Sequence, residues 1–341
     1  MWGPVQTRDS RSMKRIDTLD VIRGIALCGI LAANAPTVLN LPAEEGFNDV
    51  QVALGLTVHE RFFPIFSLLF GLGFGLMLAS ARRRGETSRW PYVRRFAFLL
   101  ALGGVHQLLQ PGEALLPYAL AGLLVLLPAS WLPRWGVVAA TTVLLPAGVV
   151  AGGGFALIPG AFALGLALTA FDVPQRLERP GAWRPALSLA VVTGAVAALL
   201  LPGLAANPGT LGFSMSSTVT GLLMATTYVG LTVALMHTPV RGALVATFGS
   251  LGRVSLTNYV GATLLLLAAR PFQTQLGIDG TAQGLLRMLA LCGGIALLQV
   301  VLSRVWLSRF PQGPLEQVWR RVTWGSARPV SRAAVPAPAN A

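Results

Sequence analysis

Long apolar runs, separated by short clusters rich in Arg, Pro and Gly, recur from one end of the chain to the other. A helix needs about 20 apolar residues to cross the hydrocarbon core of a bilayer. Runs of that kind predict spans near 19–39, 58–80, 93–110, 114–132, 136–152, 155–171, 186–206, 216–236, 243–269 and 283–303. The fifth and sixth form one apolar stretch, divided only where Gly152-Gly153-Gly154 supplies a turn. The pattern predicts an all-α fold, a polytopic membrane helix bundle of about ten transmembrane helices.

Composition strengthens that reading. Of 341 residues, 54% are hydrophobic and 11% charged, so apolar side chains exceed what a soluble globule can hide and lipid must cover much of the surface. The formal charge of +13 would suggest nucleic acid if the Arg residues decorated a polar domain, but they fall between the apolar runs. They therefore report topology, and no nucleic-acid partner is expected. Short cytoplasmic loops carry the excess of Lys and Arg. Arg8, Arg11, Lys14 and Arg15 precede the first run, Arg82, Arg83, Arg84, Arg89, Arg94 and Arg95 lie between the second and third, and Arg304, Arg309, Arg320, Arg321, Arg328 and Arg332 follow the last. The intervening loops hold Glu44, Glu45, Asp49, Glu113 and Asp279, with Arg270 their only cation. Both termini are thus expected in the cytoplasm and the protein in a bacterial cytoplasmic membrane. The expected organisation is an extension over 1–18, transmembrane halves over 19–185 and 186–325, and a disordered Pro- and Ala-rich tail over 326–341. Arg23 interrupts the first apolar run, which argues against a cleaved signal peptide, and Met13 offers an alternative start.

Ionisable groups at membrane depth are costly, so each marks a candidate functional position, with helix pairing as the bland alternative. Topology sorts them into two layers. Asp20 and Arg23 share one face of the first span and join Arg253, early in the ninth, near the cytoplasmic side. Arg presents a fixed fork of donors to phosphate oxygens, so this layer could bind the phosphates of a coenzyme, or could simply fasten helices. His59, Glu60 and Arg61 open the second span, His106 ends the third, Glu113 begins the fourth and Arg287 lies on the tenth, all towards the outer side. Imidazoles and carboxylates are the groups of general acid–base catalysis near neutral pH, so His59 or His106, with Glu60 or Glu113, are candidate catalytic residues, weighed against helix-end hydrogen bonding. His237 suits a helix C-terminus and is given no chemistry. Cys28 and Cys292 sit within apolar runs, and the histidines lack ligand spacing, so no metal is expected. Phe70-Gly71-Leu72-Gly73-Phe74-Gly75 mimics a phosphate loop, but without a preceding strand its small residues read as a helix-packing surface.

Several stretches together resemble the YeiB-like bacterial membrane proteins, whose C-terminal half is the domain of unknown function 418. They are Asp20-Val21-Ile22-Arg23-Gly24 with Asn34, Phe66-Ser67-Leu68-Leu69-Phe70-Gly71, then His106, Gly112-Glu113-Ala114-Leu115 and Tyr118. Gly252-Arg253-Val254-Ser255-Leu256-Thr257-Asn258-Tyr259, Trp306 and Gly313-Pro314-Leu315-Glu316-Gln317-Val318-Trp319 complete the match. Glu113 stands where that family usually has Asp, and Ala262-Thr263 where it commonly has Gln and Ser. The resemblance implies a distant relation to transmembrane acyltransferases of the heparan-alpha-glucosaminide N-acetyltransferase type. It further implies acyl-coenzyme A as a co-substrate rather than a bound cofactor, and a small-molecule or glycan acceptor. Asp20, Arg23, Arg61, Arg253, Asn258 and Tyr259 become candidate substrate-binding residues on that basis. A secondary transporter for a small anionic or amphipathic metabolite, or a membrane scaffold, would also accommodate the polar layers. No Gly-x-Ser-x-Gly, Walker, His-Glu-x-x-His or haem-attachment motif occurs.

Overall fold

The computed structural model describes residues 15–42 and 46–325. Met13, the cations Arg8, Arg11, Lys14, Arg328 and Arg332, the acids Glu44 and Glu45, and the expected tail over 326–341 lie outside the described residues. Helices dominate and no strand occurs among the described residues. In chain order they are α1 Asp17–Val38, α2 Asp49–Thr57, α3 Phe62–Arg83, α4 Trp90–Leu109, α5 Leu115–Ala129, α6 Arg134–Val150 and α7 Gly154–Ala170. There follow α8 Trp183–Ala205, α9 Met215–Leu235, α10 Arg241–Arg253, α11 Ser255–Leu276, α12 Ala282–Arg309 and α13 Pro314–Trp324.

Every expected span meets a helix, but not every helix is a span by length and composition. Five are long and apolar enough to cross a membrane, or six if α10 and α11 count as one bent span. Helices α5, α6 and α7 are shorter, and α4 carries Arg94, Arg95 and His106 within its length. Large apolar side chains face outward along α8 and α12, with Leu199 80% and Leu297 70% exposed, as a lipid solvent allows and water does not.

Two boundaries differ from the sequence reading. The second span was expected to begin at 58, yet helix α3 starts at Phe62 and His59, Glu60 and Arg61 occupy a turn after α2. Arg61 donates to the carbonyls of Leu56 and His59, which ends α2 and turns the chain. The ninth run, expected as one helix, bends by 81° between α10 and α11. At that break Asn258 Nδ2 donates to Leu251 O, a carbonyl that a continuous helix would satisfy from Ser255. Elsewhere the Gly152-Gly153-Gly154 turn is present, all three residues having positive φ, a conformation glycine adopts without steric cost.

Helix α1 is the hub, packed on α3, α9, α10, α11 and α12. It meets α10 at two glycines, Gly24 against the Phe248 carbonyl and Gly252 against the Asp20 carbonyl. The glycine-rich run of α3 serves packing in the same way. Gly71 lies on the Phe162 backbone of α7, and Gly75 on Thr169. Gly71→Leu is therefore expected to cost about 1–3 kcal/mol through overpacking. Gly104→Leu, where a side chain meets open space, should leave the thermal midpoint of the detergent-solubilised protein unchanged. Equal midpoints for the two variants would refute this account of the α3–α7 contact.

Candidate functional site

One cavity of about 450 Å³ opens between α1, α3, α4, α11 and α13. Five guanidinium groups line it, those of Arg15, Arg23, Arg95, Arg253 and Arg320, against two carboxylates, Asp20 and Glu316. Asp20 is already engaged, accepting from Arg15 Nε at 2.6 Å and from Arg23 at 3.4 Å. The Arg95 guanidinium lies 3.4 Å from the centre of the Trp319 ring, whose Nε1 donates to Arg95 O. Deeper in, Phe66, Phe70, Leu99 and Tyr118 give an apolar wall, and the far end is closed by Ala114, Leu115 and Tyr259. A cationic mouth leading to an aromatic pocket suits a molecule with an anionic head and an apolar limb.

Helix α13 closes one side of this mouth, and besides the Trp319–Arg95 contact a carboxylate ties it to α11. Glu316 accepts from Leu256 N at 2.7 Å, Thr257 N at 3.2 Å and Thr257 Oγ1 at 2.7 Å, so it caps the first turn of α11 from a distant part of the chain. Glu316→Ala should cost about 1–2 kcal/mol, the upper range for a lost cap. It should also make residues 314–324 cleavable by added protease before the rest of the protein. Unchanged protection of α13 would show that its other contacts, the Trp319–Arg95 pair among them, dock it without Glu316.

Behind the far wall sits a buried polar cluster. His106 is 1% exposed, with Nδ1 3.3 Å from Glu113 Oε2 and Nε2 3.1 Å from Thr263 Oγ1. Thr263 donates its hydroxyl proton to Gln110 Oε1, so it can only accept from His106 Nε2. Nδ1 is thereby left facing the Glu113 carboxylate. Glu113 also accepts from Leu115 N and Leu116 N, each at 2.6 Å, at the start of α5. Gly103 lets that first turn approach α4 closely. Tyr259 belongs to both places: its ring lies 5.2 Å from His106, its hydroxyl accepts from Ala114 N, and it faces the cavity.

The remaining candidates lie apart. Glu60, held at positive φ, accepts from Gly154 N at 2.9 Å and so fastens the glycine turn to the α2–α3 turn. Arg61 is fully buried, donates to Ser217 Oγ at 3.3 Å and leaves Nη2 without a partner, as does His59 Nε2. No hydrogen bond or ion pair joins this group to His106 and Glu113 among the described residues. Asn258 supports the helix break, bonding Ser303 Oγ as well as Leu251 O, and lines a separate void of about 20 Å³ with Asn34, Thr263 and Gln299. His237 reaches the carbonyls of Val233 and Arg179.

Of the sequence candidates, then, Asp20, Arg23, Arg253 and Tyr259 share one cavity, and His106 and Glu113 stand behind its end. Arg95, Glu316, Tyr118 and Thr263 join them without having been singled out. Arg95 read as one more loop cation, and Thr263 only as a departure from the Gln and Ser that the resembled family commonly has there; the structure gives it a polar contact all the same.

Residues 173–326 match the family model described as a protein of unknown function (DUF418). The chain is 33% identical over 338 residues to an uncharacterised 39.9 kDa protein in the amylase 3' region of Bacillus acidopullulyticus, covering 93% of this chain and 96% of that one. It is 25% identical over 402 residues to the uncharacterised protein YxaH of Bacillus subtilis, with 94% and 96% covered. Over 125 residues it is 33% identical to the uncharacterised protein YeiB of Escherichia coli, with 33% of this chain and 30% of that one covered.

Proposed function

The chain belongs to the YeiB-like DUF418 family of helical membrane proteins, and from that premise we propose that it is a transmembrane acyltransferase taking its acyl group from a thioester at the cytoplasmic face. One observation carries the reading: five guanidinium groups line the mouth of a cavity whose inner end abuts the buried His106–Glu113 pair. Donor phosphates meet Arg23, Arg95 and Arg253, and the acyl limb lies along Phe66, Phe70 and Tyr118. Arg95 and the level of Gly103 are about 12 Å apart along α4, so a donor held at the mouth projects its thioester towards Tyr259. An acceptor hydroxyl or amine forms the new C–O or C–N bond as the C–S bond breaks. Its proton is accepted by the His106–Glu113 cluster behind the Tyr259 wall and ends on the departing thiolate. Both termini and the Arg cavity face the cytoplasm in this reading, and the acceptor is an envelope glycan or small molecule.

The test is mass spectrometry of envelope glycans and lipids from cells lacking the protein, complemented by wild type or by Arg95→Gln. Loss of one acyl group, restored by wild type alone, is the expected result. Unchanged acylation together with a metabolite accumulating on one side of the membrane would replace this reading with transport. The bent α10–α11 pair beside the Arg cluster is the feature that favours that second reading, since discontinuous helices line substrate sites in many transporters.

A further inference from the structure

We propose a second anion site, on the lipid-facing flank of the molecule, in a crevice between α1, α10 and α12 that takes the phosphate head group of an anionic phospholipid. The crevice measures about 340 Å³ and is separated from the first cavity by Arg15, Asp20 and Arg253, which line both. The exposed residues Arg304 and Ser308 of α12 and Ala246 of α10 form its outer walls.

Its charges are unbalanced in a particular way. The two carboxylates present are already committed, Asp17 to Arg241 at 2.9 Å and Asp20 to Arg15 at 2.6 Å. Arg304 and Arg253 have no hydrogen bond or ion pair among the described residues, and Arg253 Nε is buried without a partner. Two guanidinium forks thus face a crevice whose carboxylates are hydrogen-bonded to other residues. An exposed Arg in water needs no anion, but this crevice opens beside lipid. Leu297, Val301 and Val305 are 70%, 58% and 52% exposed and recur every fourth residue down α12, and the last two stand one helical turn from Arg304 and Ser308. With 28 residues α12 is about 42 Å long, against a hydrocarbon core of about 30 Å. Its final turns therefore stand at head-group depth. Ala246, a small residue exposed on α10, leaves room for an acyl chain to descend beside the stripe. Basic pockets between membrane helices recognise anionic lipid head groups in this manner. The site requires only that the helices lie in a bilayer and does not depend on the donor reading of the first cavity.

The experiment is native mass spectrometry of the full-length protein in detergent, with phosphatidylglycerol, phosphatidylcholine or inorganic phosphate added at equal concentration. Wild type is expected to retain phosphatidylglycerol and not phosphatidylcholine. Arg304→Gln, an exposed position that leaves folding intact, should retain it about five-fold more weakly, as expected for one basic residue at a membrane surface. Arg309→Gln, outside the crevice, should match wild type. Equal retention of both lipids, or an Arg304→Gln variant equal to wild type, would overturn the site. Displacement of phosphatidylglycerol by inorganic phosphate would overturn the lipid assignment.

Discussion

Glu113→Ala is expected to destabilise the protein by about 3–5 kcal/mol, because the carboxylate is the shared acceptor of a buried cluster and each donor left unsatisfied costs about 1–3 kcal/mol. The carboxylate is 1% exposed, so bulk solvent cannot replace what it contacts. Both oxygens accept from backbone N–H groups of α5, and Oε2 also faces His106 Nδ1. Alanine would leave two N–H groups and one imidazole nitrogen unsatisfied at once, each carrying its own desolvation cost. Glu113→Gln should fall between, because its amide can accept one backbone N–H but must turn its NH₂ towards the other. The pair His106→Gln and Glu113→Ala should be strongly non-additive, since the partner lost in one is already missing in the other. Denaturant titration in detergent, following helix content, reads wild type and all four variants. A Glu113→Ala midpoint within about 1 kcal/mol of wild type would mean that the cluster is hydrated and the hydrogen-bond count misread.

The helices were legible in the sequence because each apolar run is long and its ends are marked by Arg, Pro or Gly. The Gly152-Gly153-Gly154 turn was legible for the same reason. The break after Arg253 was not, since Val254-Ser255 carries no turn signal and its cap, Glu316, arrives from α13, far along the chain. His59, Glu60 and Arg61 were assigned to a helix start because polarity alone does not distinguish a first turn from a turn between helices. What separates them is Arg61 taking two carbonyls of α2, a tertiary event. The cavity was half legible. Asp20, Arg23 and Arg253 stood out as charges within apolar runs, whereas Arg95 lay in a dense Arg cluster where nothing but burial against Trp319 marks it. Neutral polar residues such as Gln110 and Thr263 leave almost no trace in a hydropathy pattern, although they fix the direction of every hydrogen bond around His106.

Arg23→Gln combined with Arg95→Gln should weaken binding of acetyl-coenzyme A by about 100-fold or more, taking about 1.5–3 kcal/mol for each hydrogen bond from a charged donor to a phosphate and about 1.4 kcal/mol per ten-fold in affinity. Equilibrium binding to the purified protein measures this, and Arg83→Gln, at the exposed C-terminal end of α3 and outside the cavity, is the control. The wild-type affinity should itself fall as salt is raised, and the double variant should show a shallower dependence because two of the charges that attract the ligand are gone. Arg95 raises a complication, since it also stacks on Trp319 and its loss could loosen α13 rather than remove a ligand contact. Arg95→Lys separates the two effects. Lysine keeps the positive charge and loses both the planar stack and the bidentate fork. If Arg95 acts by charge alone, Lys restores affinity and salt dependence. If it acts by holding phosphate in its fork, Lys leaves most of the loss in place while Trp319→Phe, which keeps a ring beneath the guanidinium, binds nearly as wild type. Full affinity in the double variant would remove the Arg cavity as the donor site. The buried His106–Glu113 pair would then have to be reached by a substrate entering from another side of the bundle.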